Sequence, residues 1–278
     1  MTPPSVRLIR SSGERGAAIA RASLDGEAML GARVLKQDER VTVLAATLNI
    51  GGDAVRTVIK TWRLVRARDA ANRLAGSTQA LRHWRAARWL ASIGVRTAEP
   101  WAVFRRRVGG SLQETLAMEA LPGRTLLHHL DEIARGVSAL SALERHSIAA
   151  EVGAQIGAIT GAGRFNRDHK PSNLIVVEGA PPGARVGVID CVGIRPDRLR
   201  VGSARMLASL MIEPTGMGCV PPRTLRMRCL AALLGGSPRS ARKAAWRAVG
   251  ALIAEHGDPT PRVDPLRGDG SRGAAPRP

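Results

Sequence analysis

The tripeptide Leu121-Pro122-Gly123 separates two kinds of pattern in the chain. Before it, short β-branched runs alternate with turn residues, and from about residue 17 to 62 the pattern favours strands. V-T-V-L (41–44) runs on to Leu48, and Asn49-Ile50-Gly51-Gly52-Asp53 supplies a hairpin turn into V-R-T-V-I-K-T-W (55–62). One helix interrupts the strands. Residues 77–93 open on Ser77 and stop at Gly94, with Leu81, Trp84 and Leu90 on one side and Arg82, Arg85 and Arg88 nearer the other. Two further strands, 101–104 and 115–119, join through Gly109-Gly110.

Beyond Gly123 helical periods dominate. Helices are expected over 125–136, 141–160, 203–212, 222–234 and 239–255, the second opened by a capping box of Ser141 and Glu144. Strands at 174–177 and 186–190 are joined by the turn Ala180-Pro181-Pro182-Gly183. The chain therefore reads as α+β. Residues 1–15 are a flexible N-terminus and 16–120 a small β-rich lobe with one main helix. Residues 121–257 form a compact, mostly helical lobe with an inserted hairpin, and 258–278, rich in Pro, Gly and Arg, a disordered tail. A cleft between such lobes is a natural ligand site.

Composition narrows the function classes. A hydrophobic fraction of 44% supports a core, which must be mostly aliphatic because aromatics are 3% and Tyr is absent. The formal net charge of +19 attracts polyanions, including an anionic membrane surface. No nucleic-acid-binding motif accompanies that charge. Cys191, Cys219 and Cys229 show neither CxxC nor metal-ligand spacing, which fits a reducing cytosol. The first sixteen residues lack the apolar core of a secretory signal, and no stretch approaches the ~20 apolar residues of a membrane span. A cytoplasmic protein, soluble or peripheral on the inner face of the cell membrane, is expected.

The stretch Arg164-Phe165-Asn166-Arg167-Asp168-His169-Lys170-Pro171-Ser172-Asn173 concentrates chemistry just before an apolar strand. Phosphoryl transfer needs positioning and charge neutralisation more than covalent help. Asp168 can orient an acceptor hydroxyl and take its proton, and Lys170 can contact the γ-phosphoryl. Asn173 offers a hard oxygen to Mg²⁺, and Asp190, at the end of the strand 186–190, offers a second. Upstream, V-I-K (58–60) puts Lys60 on a strand, where it can clasp α- and β-phosphates.

D-x-K-x-x-N, then an Asp at a strand end, with V-I-K in an upstream β-rich lobe, resembles the protein-kinase-like bilobal fold. Within it the chain is most similar to the lipopolysaccharide kinase (Kdo/WaaP) family, over about residues 30–255. The resemblance implies transfer of the γ-phosphate of ATP, with Mg²⁺, to a sugar hydroxyl of the lipopolysaccharide inner core. It also implies that Glu119 to Leu121 is the hinge whose backbone binds adenine. No A-P-E motif follows Asp190, which favours a lipid-linked saccharide or another small hydroxyl acceptor over a protein.

Three departures accompany the resemblance. Residues 70–98 contain no Asp or Glu, and His83 occupies about the position of the helix glutamate that usually pairs with the strand lysine. Asn166 stands where His is usual. No G-x-G-x-x-G is present, and the expected phosphate-covering turn, Lys36-Gln37-Asp38-Glu39, has no glycine. A kinase-fold protein that binds nucleotide or anionic glycolipid without turnover is the alternative reading. A small-molecule phosphotransferase of aminoglycoside or choline type is another.

Overall fold

The computed structural model describes residues 6–25, 28–261 and 264–266. They form two compact units: the described residues up to Arg88 with Ala98–Ala120, and Trp89–Thr97 with Leu121–Leu266.

The first unit is built on a six-stranded antiparallel sheet. In chain order its strands are β1 (Val6–Ser11), β2 (Met29–Gln37), β3 (Val41–Ile50), β4 (Asp53–Arg63), β5 (Pro100–Val108) and β6 (Ser111–Glu119). Their order across the sheet is β1-β5-β6-β4-β3-β2. The β3–β4 hairpin turns at Gly51-Gly52, where Asn49 Oδ1 accepts from Gly52 N at 3.2 Å. The β5–β6 hairpin turns at Gly109-Gly110, both with positive φ. Two features differ from expectation. Residues 6–11, read as part of a flexible terminus, form β1, which adds to β5 from Val6↔Arg106 to Ser11↔Ala102. Residues Gly13–Ala22 form helix α1 rather than strand. Alternation of small and apolar residues hid the helix, which buries Ile19 and Ala20 against Leu48, Val55, Trp101 and Phe104. Helix α2 (Ala67–Leu74) follows β4, and α3 (Gln79–Ser92) buries Leu81, Trp84 and Leu90 and exposes Arg85 and Arg88.

The turn offered by the sequence as a phosphate cover is a self-contained loop. Asp38 Oδ1 accepts from Arg40 N at 2.9 Å and from Val41 N at 2.8 Å. The side chain thus closes the β2–β3 connection without glycine.

In the second unit, β7 (Gly123–Thr125) starts at the last residue of the break read in the sequence. Gly123 has φ +124°, and a Cβ there would run into the Val176 carbonyl, so only glycine lets β7 pair with β9. Helices α4 (Leu126–Ala134) and α5 (Ala142–Gly161) follow. Thr125 caps α4. Ser141 and Glu144 cap α5 reciprocally, Ser141 N donating to the Glu144 carboxylate at 2.9 Å. Four short strands come next: β8 (Arg164–Asn166), β9 (Leu174–Val177), β10 (Val186–Val188) and β11 (Ile194–Pro196). Helices α6 (Gly202–Gly216), α7 (Arg223–Leu234) and α8 (Arg239–His256) complete the unit. α6 outruns its expected end by passing through Pro214 to Gly216.

The three cysteines are free and buried. Burial pushes the Cys229 thiol up to about 12 and the Cys219 thiol up to about 11, so neither is an activated nucleophile. Part of the segment read as a disordered tail is folded onto this unit. The Pro259 carbonyl fills the space a Cβ on Gly216 would need, and Leu266 packs on Leu127, Leu130 and Cys219. Residues 262–263 and 267–278 lie outside the described residues. No helix among the described residues is long and apolar enough to cross a membrane.

Candidate active site

Two loops in the second unit are forced side by side by strand pairing. β9 pairs with β10, and β8 pairs with β11, both antiparallel. The loop from β8 to β9 is Arg167–Asn173, and the loop from β10 to β11 is Ile189–Gly193. Each connects the same two sheets, so the loops run antiparallel and alongside. Main-chain bonds tie both ends: Arg167 N donates to Gly193 O at 3.1 Å, and Ile189 N donates to Asn173 O at 3.0 Å. Asp168, Lys170 and Asn173 lie on the first loop and Asp190 on the second, although they are separate in sequence.

The backbone of Asp168 is held on both sides. Its N–H donates to Asn166 Oδ1 at 3.2 Å, and its carbonyl accepts from Asn173 Nδ2 at 2.9 Å and from Lys170 N at 3.0 Å. Asn166, where the resemblance expects His, is buried and anchors the loop by accepting from Asp168 N. Because Asn173 spends its amide N–H on Asp168, its carbonyl oxygen remains the ligating end. Asn173 and Asp190 thus present hard oxygen donors on adjoining loops, a donor set that suits Mg²⁺ shared with nucleotide phosphates. Among the described residues there is no group of three or more His, Cys, Asp or Glu able to hold a metal by itself.

Gly193 is fixed by this packing. A Cβ there would lie 2.5 Å from Asn166 Oδ1 and 2.8 Å from Asp168 Oδ2. The Asp168 carboxylate is therefore seated against the Gly193 backbone. On its other flank Arg167 donates from Nη2 to Asp168 Oδ2 at 3.1 Å. Hydrogen bonding to Asp168, its charge and then the charge of Asp190 raise the affinity of Arg167 for its proton. Arg167 and Asp168 are 59% and 38% exposed, so solvent screening leaves this pair a weak contributor to stability.

Lys170 is engaged by a residue the sequence reading did not single out. Glu213 of α6, 8% exposed, lies 3.0 Å from Lys170 Nζ and accepts from Ser172 N at 2.8 Å and Ser172 Oγ at 2.6 Å. An acid directly after the apolar run Leu210-Met211-Ile212 was the available signal. His169, between the two proposed catalytic residues, is fully buried, and neither ring nitrogen has a hydrogen-bond partner. Burial pushes its pKa down to about 4, so it is neutral and serves as packing.

The remaining expected residues sit elsewhere. Lys60 stands on β4 of the first unit, opposite Val43 of β3 and Leu116 of β6. Glu119 ends β6; its N–H donates to Glu99 O at 2.9 Å and its carboxylate accepts from Glu99 N at 3.2 Å. Leu121 opens the second unit and is buried. His83 is buried on α3.

No family model matches the chain, and no curated protein matches its sequence. Solved structures do match, 1524 chains of them, so the architecture is a widely used one and does not by itself select a chemistry. A solved structure described as "WaaP in complex with acyl carrier protein" aligns with a TM-score of 0.61 at 19% identity. The alignment covers 90% of this chain and 97% of that one. The chain therefore shares the kinase-like mixed α/β fold of that structure, with an antiparallel sheet unit followed by a helical one.

Proposed function

We propose that this protein is a Mg-ATP-dependent kinase that transfers the γ-phosphate to a sugar hydroxyl of the lipopolysaccharide inner core or a similar lipid-linked saccharide. The observation that carries the reading is the doubly held backbone of Asp168, beside the oxygen donors of Asn173 and Asp190 on two interlocked loops. The kinase-like fold supports it.

In this reading Asp168 orients the acceptor hydroxyl. The acceptor oxygen bonds to phosphorus as the bond to the ADP oxygen breaks, and the hydroxyl proton passes to the Asp168 carboxylate. Bound Mg²⁺ supplies charge neutralisation on the phosphates, and Asn173 and Asp190 would hold it. The roles of Lys60 on the α- and β-phosphates, and of Glu119 and Leu121 at adenine, follow from the family resemblance. Lys170 would leave Glu213 to meet the γ-phosphoryl. A lipid-borne acceptor would place the protein at the cytoplasmic face of the membrane. An acyl carrier protein, named as the partner of the WaaP structure, belongs among the partners to test.

The deciding experiment is transfer of radiolabelled γ-phosphate to a panel of lipopolysaccharide core acceptors, simple sugars and proteins. Label on core saccharide, lost in Asp168→Ala, is expected. Full turnover in that variant overturns the assignment. A second reading, nucleotide binding without turnover, draws on the Glu213–Lys170 pair and on the lack of Asp or Glu in 70–98. A Mg-ATP-dependent rise in melting temperature with no transfer to any acceptor would favour it.

A further inference from the structure

We propose that the concavity between α2 and the β5–β6 turn in the first unit binds a phosphate group, read by Arg66, Arg73 and Arg107. This inference goes beyond the kinase reading and does not depend on it.

The site is framed by two fixed elements. Leu64 N donates to Leu112 O at 2.8 Å, which fastens the segment after β4 to the β5–β6 hairpin. Asp69 then sets the first turn of α2. It accepts from Arg66 N at 3.0 Å and pairs with Arg40 at 3.0 Å. The resulting concavity is about 490 Å³, within the size range of small-ligand sites. Arg66, the residue that precedes α2, and Arg73 in the last turn of α2 line it on one side, and Arg107 lines it from the end of β5.

The electrostatics are one-sided. Asp69 is the only acid among the lining residues. Burial would raise its pKa, but the Arg66 N–H and the Arg40 charge outweigh burial and hold it below the ordinary carboxylate range. It is thus an anion already matched by Arg40. Among the described residues, none of the guanidinium groups of Arg66, Arg73 and Arg107 has an ion-pair or hydrogen-bond partner. Ser111 adds a hydroxyl to the lining. Three planar forks of donors on residues that line one pocket, whose one acid is already matched by Arg40, suit a phosphate, which accepts bidentate bonds from Arg. Val65 and Leu74, 61% and 85% exposed, flank the arginines, so the phosphate can be borne by a soluble molecule or by a lipid.

The overall charge makes non-specific binding the rival account, so the test is differential. The triple variant Arg66→Gln/Arg73→Gln/Arg107→Gln is compared with Arg239→Gln/Lys243→Gln/Arg247→Gln, which removes the same charge from the exposed face of α8. Two probes are used at fixed salt on the full chain. One is inorganic pyrophosphate by titration calorimetry. The other is sedimentation with phosphatidylcholine vesicles with and without phosphatidylglycerol. The pocket variant is expected to lose about tenfold or more in affinity for at least one probe, and the α8 variant to lose little. Selective loss on pyrophosphate identifies a soluble phosphate ligand, and selective loss on the charged vesicles identifies a lipid headgroup. Absence of wild-type binding to both probes, or equal losses in the two variants, overturns the proposal. If thermal melting shows the triple variant unfolded, Arg107→Gln against Arg247→Gln gives the same comparison.

Discussion

Glu213 on α6 and Lys170 on the loop before β9 form a salt bridge at 3.0 Å, and the same carboxylate holds both donors of Ser172. A buried acid thus fixes the loop that carries Asp168 to a helix that follows it in the chain. The carboxylate is almost fully covered while the lysine is 44% exposed, so the cost of losing the partner falls mainly on the acid.

Glu213→Gln keeps an acceptor for Ser172 and removes the charge facing Lys170. Unfolding free energy is expected to fall by about 1–3 kcal/mol, read by urea denaturation. Lys170→Met is expected to destabilise as well, and a double-mutant cycle should show non-additive losses. Strict additivity would mean that the two side chains do not interact in solution.

Gly193→Ala places a methyl group 2.8 Å from the Asp168 carboxylate and 2.5 Å from Asn166 Oδ1. The overpacking is expected to cost about 1–3 kcal/mol and to move Asp168. The loss of phosphate transfer should therefore exceed what a surface glycine such as Gly236, with nothing within 4 Å of its Cβ position, gives on the same substitution. Equal effects at both positions would contradict the close approach.

His169 makes stability depend on pH. Its pKa in the fold, about 4, lies below the ordinary value of 6.5, because burial disfavours the charged ring. The unfolded chain takes up the proton first as pH falls. The contribution of neutral His169 is thus complete above about pH 6.5 and is lost as pH drops toward 4. Its nitrogens have no partners, so His169→Leu is expected to be more stable than wild type at pH 7, by about 1–3 kcal/mol. The gap should widen at pH 5. Melting curves at both pH values check the sign; a gap that narrows at pH 5 is the opposite result.

Asp168→Asn and Asp190→Asn should separate chemistry from metal binding. The first is expected to lower phosphate transfer by about 10²–10⁴-fold while keeping the Mg-ATP-dependent rise in melting temperature. The second is expected to lose that rise. Chelation of Mg²⁺ should reproduce the second phenotype in the wild-type protein.

The readable part of the fold was local. The β3–β4 and β5–β6 hairpins announce themselves through Asn49 to Asp53 and Gly109-Gly110, and α5 through the Ser141–Glu144 capping box. β1 and α1 were not readable, since Val6–Ser11 becomes a strand only by pairing with β5, nearly a hundred residues away. The same holds for Leu266, whose burial depends on a surface formed by α4 and Cys219.

The candidate site divides in the same way. Residue types and spacing along one loop, Asp168, Lys170 and Asn173, are properties of the sequence, because the proposed hydroxyl orientation, phosphoryl contact and Mg²⁺ ligation would need those functional groups whatever surrounds them. The seating of Asp168 against Gly193, the neighbouring position of the loop that carries Asp190 and the capture of Lys170 by Glu213 came only from tertiary structure. They depend on which strands pair and which helix is packed beneath them. Such long-range contacts are chosen by burial and by saturation of main-chain hydrogen bonds, which no local pattern encodes.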